Sequence, residues 1–319
     1  MIKKVAVVGV GAVGGYFGGR LAARGYQTTF VARGRTLQAL QSRGLVVQSP
    51  LGDLALSPAQ IRSCEHLEEV GPVDLVLLGV KTWQVAELAA ELAPLVTAGG
   101  VVLPLQNGIE SPAQLTRALG SEHVLGGLCR IIARQTAPAE ISHLGGEPEI
   151  LLGALSQEQA VVEARAQAIA QALASAGVRC QVRPDIATAL WEKLAFIAAF
   201  ASVGAATQAP IGELRSIPET RALLALLLSE VAAVASAHAV KLPSELVPST
   251  LSYFDKMPAL ATSSLQRDMA AGVPSELDAL IGVIPRLGRA AGVATPCFEA
   301  LHACLLPAEL RVRSSAAQG

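Results

Sequence analysis

Apolar residues in the first half of the chain fall in short unbroken runs, at residues 5–10, 27–32, 73–80 and 100–104, rather than in alternation with polar ones. A run that is apolar on both faces predicts a strand of a parallel sheet with helices on each side. Between these runs, residues 14–24, 36–42 and 82–95 are rich in Ala and Leu and predict helices. The alternation reads as right-handed βαβ units of a doubly wound sheet. Further strands are expected at 140–143, 149–153 and 179–183, with a helix at roughly 157–176 between the last two.

The pattern changes after Pro184. From residue 185 to about 306 there is no convincing strand, only long helical stretches broken at Pro210, Pro218, Pro243, Pro258, Pro274 and Pro296. The expected architecture is α/β: an N-terminal Rossmann-type domain over residues 1–184 and a second, all-helical domain over 185–319. The polar tail from Arg311 is expected to fray.

Composition narrows the functions open to such a chain. Of 319 residues, 51% are hydrophobic and 16% charged, which excludes intrinsic disorder. Twenty-five Lys and Arg nearly cancel 26 Asp and Glu, so the basic footprint of a nucleic-acid binder is missing. Five cysteines with no CxxC pair suggest neither a disulfide framework nor zinc, and fit a reducing cytoplasm. The histidines are scattered without HxxxH spacing, so no metal is expected. The uncharged run 194–207 is 14 residues long, short of the roughly 20 that span a bilayer. The stretch 223–240 is interrupted by Glu230 and His238, and both segments read as buried helices. Six glycines between Gly9 and Gly19 make the N-terminal apolar run a buried strand rather than a signal peptide.

The first chemical motif is Gly9-Val10-Gly11-Ala12-Val13-Gly14, a GxGxxG placed directly after the first predicted strand and opening a helix. In that context the first glycine makes the tight turn, the second lets a pyrophosphate approach the backbone, and the third allows close helix–strand packing. The second strand ends in Ala32-Arg33-Gly34-Arg35, where an NAD site usually carries a carboxylate for the ribose hydroxyls. Guanidiniums there suit a 2′-phosphate, so NADP(H) is favoured over NAD.

Lys81 and Asn107 stand at the ends of the third and fourth predicted buried strands, the edge where open α/β sheets place ligands. Lys193 heads the most apolar helix and is either a snorkelling end-residue or a functional ammonium. Glu276, following Pro274-Ser275, opens another helix, where a carboxylate also complements the helix dipole.

These motifs in order, with Val80–Val85 (VKTWQV), Leu105–Gly108 (LQNG), Ile141–Gly146 (ISHLGG), Trp191–Phe196 (WEKLAF), Ser263–Asp268 and Pro274–Asp278, resemble the 2-dehydropantoate 2-reductase (ketopantoate reductase) family over nearly the whole chain. The resemblance implies NADPH-dependent reduction of a 2-oxo acid, ketopantoate, to the 2-hydroxy acid pantoate on the way to pantothenate. It implies that Lys193 is the general acid and that Glu276 binds near the reacting oxygen and orients the lysine. It further implies that Asn107 and Lys81 line the nicotinamide site and that Ser264 contacts the substrate carboxylate. The small molecule is the expected partner, with no nucleic acid and no membrane; the apolar helical domain could support a homodimer. One departure stands out. The family's asparagines four and eight residues after the lysine are Ile197 and Ala201 here, which suggests a more apolar pocket and a less polar 2-oxo acid or ketone. A catalytically idle NADP(H)-binding protein is the remaining alternative.

Overall fold

The computed structural model describes residues 2–155 and 160–316. The chain divides into two compact units. One comprises Met1–Gln106 and Glu110–Ile186, the other Asn107–Ile109 and Ala187–Gly319.

The first unit is built on a five-stranded parallel sheet. Its strands are β1 (Lys4–Val8), β2 (Gln27–Val31), β5 (Arg62–Cys64), β6 (Leu75–Leu78) and β7 (Val101–Pro104), in the order β5-β2-β1-β6-β7. Burial explains why these strands lack alternation. Val5, Val7, Leu75 and Leu77 pack into one core, while Ala6, Val8, Val76 and Leu78 pack into another on the opposite face. With both faces covered, every position is selected for burial.

The expected strands at 140–143 and 149–153 are one long strand, β9 (Glu140–Ala154), broken in register by Gly145 and Gly146. It pairs along its length with β8 (Leu125–Ala137), and on its other edge with β3 (Leu45–Gln48) and β10 (Arg179–Val182); β4 (Leu54–Leu56) completes this second sheet. His143 holds the irregularity. Its Nε2 lies 3.0 Å from the carbonyls of both Gly145 and Gly146, and its Nδ1 lies 2.8 Å from Ser49 Oγ. The carbonyls require Nε2 to carry a proton, and in the neutral ring Nδ1 then accepts from the serine.

Helix α1 (Ala12–Ala23) lies between the two sheets. A Cβ on Gly18 would meet Val7 and Phe30 of the parallel sheet, and one on Gly19 would meet Leu45 and Leu54 of the second. The glycine repeat is therefore a packing device as well as a loop. The helix expected at 82–95 is instead a chain of short turns: a 3₁₀ turn at Thr82–Gln84, α3 (Val85–Leu88), another 3₁₀ turn at Ala90–Leu92, and α4 (Ala93–Val96). Pro94 has no N–H for the bond to the carbonyl four residues back, which breaks the regular ladder. The unit also contains α2 (Gly34–Ser42), α5 (Ser111–Leu119) and α6 (Ala160–Ser175). The expected start of α6 at residue 157 lies outside the described residues.

The second unit is helical throughout its described residues. Its elements are α7 (Ile186–Thr207), which begins at the boundary, α8 (Ile211–Ser216), α9 (Pro218–Ala237), α10 (Leu246–Lys256), α11 (Ser264–Ala270), α12 (Val283–Ala291) and α13 (Pro296–Ala316), with a π-helical turn at Asp278–Gly282. Proline placement follows the rule for first turns at Pro218 and Pro296. Helices α7 and α9, of 22 and 20 residues, are long and apolar enough to cross a membrane on length and composition alone; 67% of the apolar stretch of α7 is buried inside the protein, as expected of a buried helix, and 33% of that of α9, less than expected. One expectation fails. The tail does not fray at Arg311, because α13 runs on through Pro307 to Ala316.

Candidate active site

The glycine loop departs from β1 with three glycines doing three jobs. Gly9 has φ +94°, a left-handed conformation, and a Cβ there would sit 2.6 Å from the Val80 nitrogen. A Cβ on Gly14 would lie 2.1 Å from the Gly9 carbonyl oxygen. Gly11, by contrast, would meet nothing within 4 Å. It is the N-cap of α1 and no side chain caps that helix, so the amides of Ala12, Val13 and Gly14 open onto unfilled space. This is the surface a dinucleotide pyrophosphate requires, and the chain fits it.

At the end of β2, Arg33 and Arg35 are exposed and neither forms an ion pair among the described residues. They line a shallow recess of about 380 Å³ with Thr36 and with Gln135, Thr136, Ala137 and Pro138 from the β8–β9 hairpin. Sequence pattern had no means of finding the hairpin side of this recess, since it lies about a hundred residues away in the chain.

The loop after β6 carries Lys81, exposed at the N-cap of a 3₁₀ turn, with its Nζ 5.8 Å from the centre of the Trp83 ring. Gln106, buried after β7, donates from Nε2 to the carbonyls of Leu78 and Val80 and so ties this loop to the neighbouring strand end. Its role also went unread in the sequence.

Asn107, one residue on, belongs to the helical unit. There its Nδ2 lies 3.4 Å from Glu276 Oε2. Glu276 is 9% exposed and follows Ser275, which is fully buried. Close packing holds the pair together: a Cβ on Gly108 would meet the Ala279 carbonyl at 2.9 Å.

Lys193 lies on α7, half-buried, as do Phe196 and Ile197 three and four residues on. From Ala198 to Ala205 the helix is wholly buried. Accessible surface on the lysine face therefore extends to Ile197 but not to Ala201, which is 0% exposed. Ser202 is fully buried and donates its hydroxyl to the Ala198 carbonyl. Ser264 is exposed at the first position of α11, and its hydroxyl makes no hydrogen bond among the described residues.

Burial, with Glu149 adding to it, pushes the Cys180 thiol up to about 12; burial and Glu230 push that of Cys297 up to about 11. Among the described residues no group of His, Cys, Asp and Glu is arranged to hold a metal.

A Rossmann unit with a glycine loop at its first helix, joined in one chain to an all-helical unit, is the build of a nicotinamide-dependent oxidoreductase. The chain matches the family model of ketopantoate reductase PanE/ApbA over residues 5–157, and the model of its C-terminal domain over residues 185–309. It belongs to the ketopantoate reductase family, a family of 2-oxo acid reductases. An uncharacterized oxidoreductase, YkpB of Bacillus subtilis, is 29% identical over 95% of this chain and 97% of its own. The structure of 2-dehydropantoate 2-reductase from Geobacter metallireducens is 31% identical, with a TM-score of 0.87 over 96% of this chain and 99% of that one. A D-mandelate dehydrogenase, in a ternary structure with NADH and anilino(oxo)acetate, shares the fold at 22% identity, with a TM-score of 0.87 over 97% of this chain and 99% of its own.

Proposed function

We propose that this chain reduces 2-dehydropantoate to pantoate with NADPH, using Lys193 as general acid and Glu276 as the carboxylate that binds near the reacting oxygen and orients the lysine. The observation that carries this reading is the half-buried Glu276–Asn107 pair, a carboxylate and an amide held in fixed relation within the helical unit. The amides of the glycine loop would hold the pyrophosphate of NADPH, while Arg33 and Arg35 would hold its 2′-phosphate. The cofactor, when bound, would supply a hydride for the ketone carbon. The Lys193 ammonium stabilises the charge that grows on the ketone oxygen and gives up its proton there, so that ketone becomes alcohol. Lys81 and Asn107 line the nicotinamide side, and Ser264 offers a hydroxyl to the substrate carboxylate.

A second reading, the same chemistry on a less polar 2-oxo acid, is favoured by Ile197, whose apolar side chain occupies the accessible part of the lysine face. Turnover of ketopantoate and 2-oxoisovalerate, followed as NADPH oxidation, separates the two. The first reading expects ketopantoate within about tenfold of the best substrate, and a larger gap rejects it. Lys193→Ala tests the shared chemistry. Turnover should fall by about 10²–10⁴ while NADPH affinity holds. Unchanged turnover would remove Lys193 from the reaction. Tight NADPH binding without turnover of any 2-oxo acid would reduce the protein to a nucleotide binder.

A further inference from the structure

Ser275 precedes Glu276 and has every polar group engaged by two side chains from a single turn of α13. Its amide lies 3.1 and 3.2 Å from the two carboxylate oxygens of Glu309, and its hydroxyl donates to Glu309 Oε2 at 2.6 Å. Its carbonyl accepts from Arg313 Nη2 at 2.8 Å. Arg313 in turn donates from Nε to Glu309 Oε1 at 2.6 Å, closing the set. The Glu309 side chain is 5% exposed and Ser275 is fully buried. Such charge-assisted bonds are short and directional, and they fix the backbone on both sides of the serine Cα.

The neighbours add to the constraint. Pro274 has a locked φ, Leu277 is fully buried, and the Glu276 carbonyl accepts from the Leu280 amide at 3.0 Å as the π-helical turn begins. Glu276 is thus held between a clamped residue and a helical start. Its carboxylate direction depends on the Ser275 backbone, which depends on Glu309 and Arg313.

We propose that Glu309 and Arg313 are positioning residues for the reductase reaction, clamping Ser275 so that the Glu276 carboxylate is aimed at Asn107 and the reacting oxygen. The proposal rests on the role given to Glu276 above. It assigns the last turns of α13 to the working of the site rather than to a dispensable tail.

The test is a set of full-length variants assayed with NADPH and whichever of ketopantoate and 2-oxoisovalerate turns over faster. NADPH affinity and thermal midpoint are measured alongside. Glu309→Gln turns an amide toward the Ser275 and Arg313 donors. It should lower kcat/KM by about 10- to 100-fold, chiefly in kcat, with NADPH affinity kept, since small misplacements of reacting groups carry costs of this size. Arg313→Gln, at a side chain only partly buried, should act in the same direction if Glu309→Gln folds poorly; Arg313→Lys, which keeps the charge but not the fork, should recover part of the loss. In a Glu276→Ala background, Glu309→Gln should add no more than about twofold, because its route of action is gone. A multiplicative loss in that background overturns the clamp, as does a single Glu309→Gln or Arg313→Gln effect of less than about twofold. Glu276→Ala with wild-type turnover would overturn the role of Glu276 itself, and the proposal with it.

Discussion

The two units build their sites from different materials. The glycine loop of the Rossmann unit uses backbone: amides at an uncapped helix end, a left-handed glycine, and a carbonyl so close to Gly14 that no Cβ fits; side chains enter that unit's site at Arg33, Arg35 and Lys81. The helical unit uses side chains: Asn107 on Glu276, with Ser275 gripped by Glu309 and Arg313 from 34 to 38 residues along the chain. A backbone site should fail abruptly when a methyl is added, and a side-chain site should fail in proportion to the contact removed.

The sharpest break of that contrast lies within the glycine loop. Gly14→Ala forces the Gly9–Gly14 approach open and should cost about 3 kcal/mol or more, on the order of 100-fold in NADPH affinity, with a lower thermal midpoint. Gly11→Ala adds a methyl to open space. It should fold as well as the parent and still bind NADPH poorly, because the methyl occupies the approach of the pyrophosphate. Fluorescence titration and thermal melts distinguish the two, and equal destabilisation would refute the separate roles.

Next in size is Arg33→Ala. Hydrogen bonds to charged groups contribute about 1.5–3 kcal/mol, so NADPH affinity should fall about 10- to 100-fold while NADH affinity stays level. An unchanged NADPH to NADH ratio would move the discrimination to Arg35 or to the hairpin residues Gln135 and Thr136, which share the recess.

The same division of materials decides what the sequence could reveal. Glycines and continuous apolar strands leave local marks, so β1, β2, β6, β7 and the glycine turn between β1 and α1 were legible from residues 5–104. The short strands β3, β4 and β5 were not, because three or four residues give no period to read. His143 looked incidental, since its bonds go to Ser49 and to a glycine irregularity visible only in the fold. Glu309 and Arg313 sit four apart and do pair with each other, but Glu309 is buried and also binds Ser275, 34 residues earlier in the chain. Such long-range side-chain pairs leave no local signal.

On the helical side, Ile197 and Ala201 separate by exposure. Ile197→Asn restores an amide at an accessible position and should shift kcat/KM toward ketopantoate over 2-oxoisovalerate by about tenfold. Ala201→Asn should instead cost about 1–3 kcal/mol of stability, because Ala201 is sealed at 0% exposure and the amide would lack partners. A specificity shift in the second variant, with stability intact, would show that the accessible face extends further along α7.

The smallest effect concerns His302 on α13, whose Nε2 is sealed from solvent without a hydrogen-bond partner among the described residues. Burial is the main cause that holds its pKa below the usual 6.5; Arg286 and Arg289 act the same way and Asp278 opposes them. The folded state thus favours the neutral ring. The unfolded chain takes up the proton more readily, so this residue destabilises the fold as pH falls from about 6.5 through the lower folded value, with no effect above it. Removing the imidazole in His302→Leu abolishes that linkage. Thermal midpoints between about pH 7 and pH 5 should decline less in the variant than in the parent, the difference between the curves isolating this one group. Parallel curves would mean that the ring is protonated equally in both states, and that Asp278 offsets burial and the two arginines.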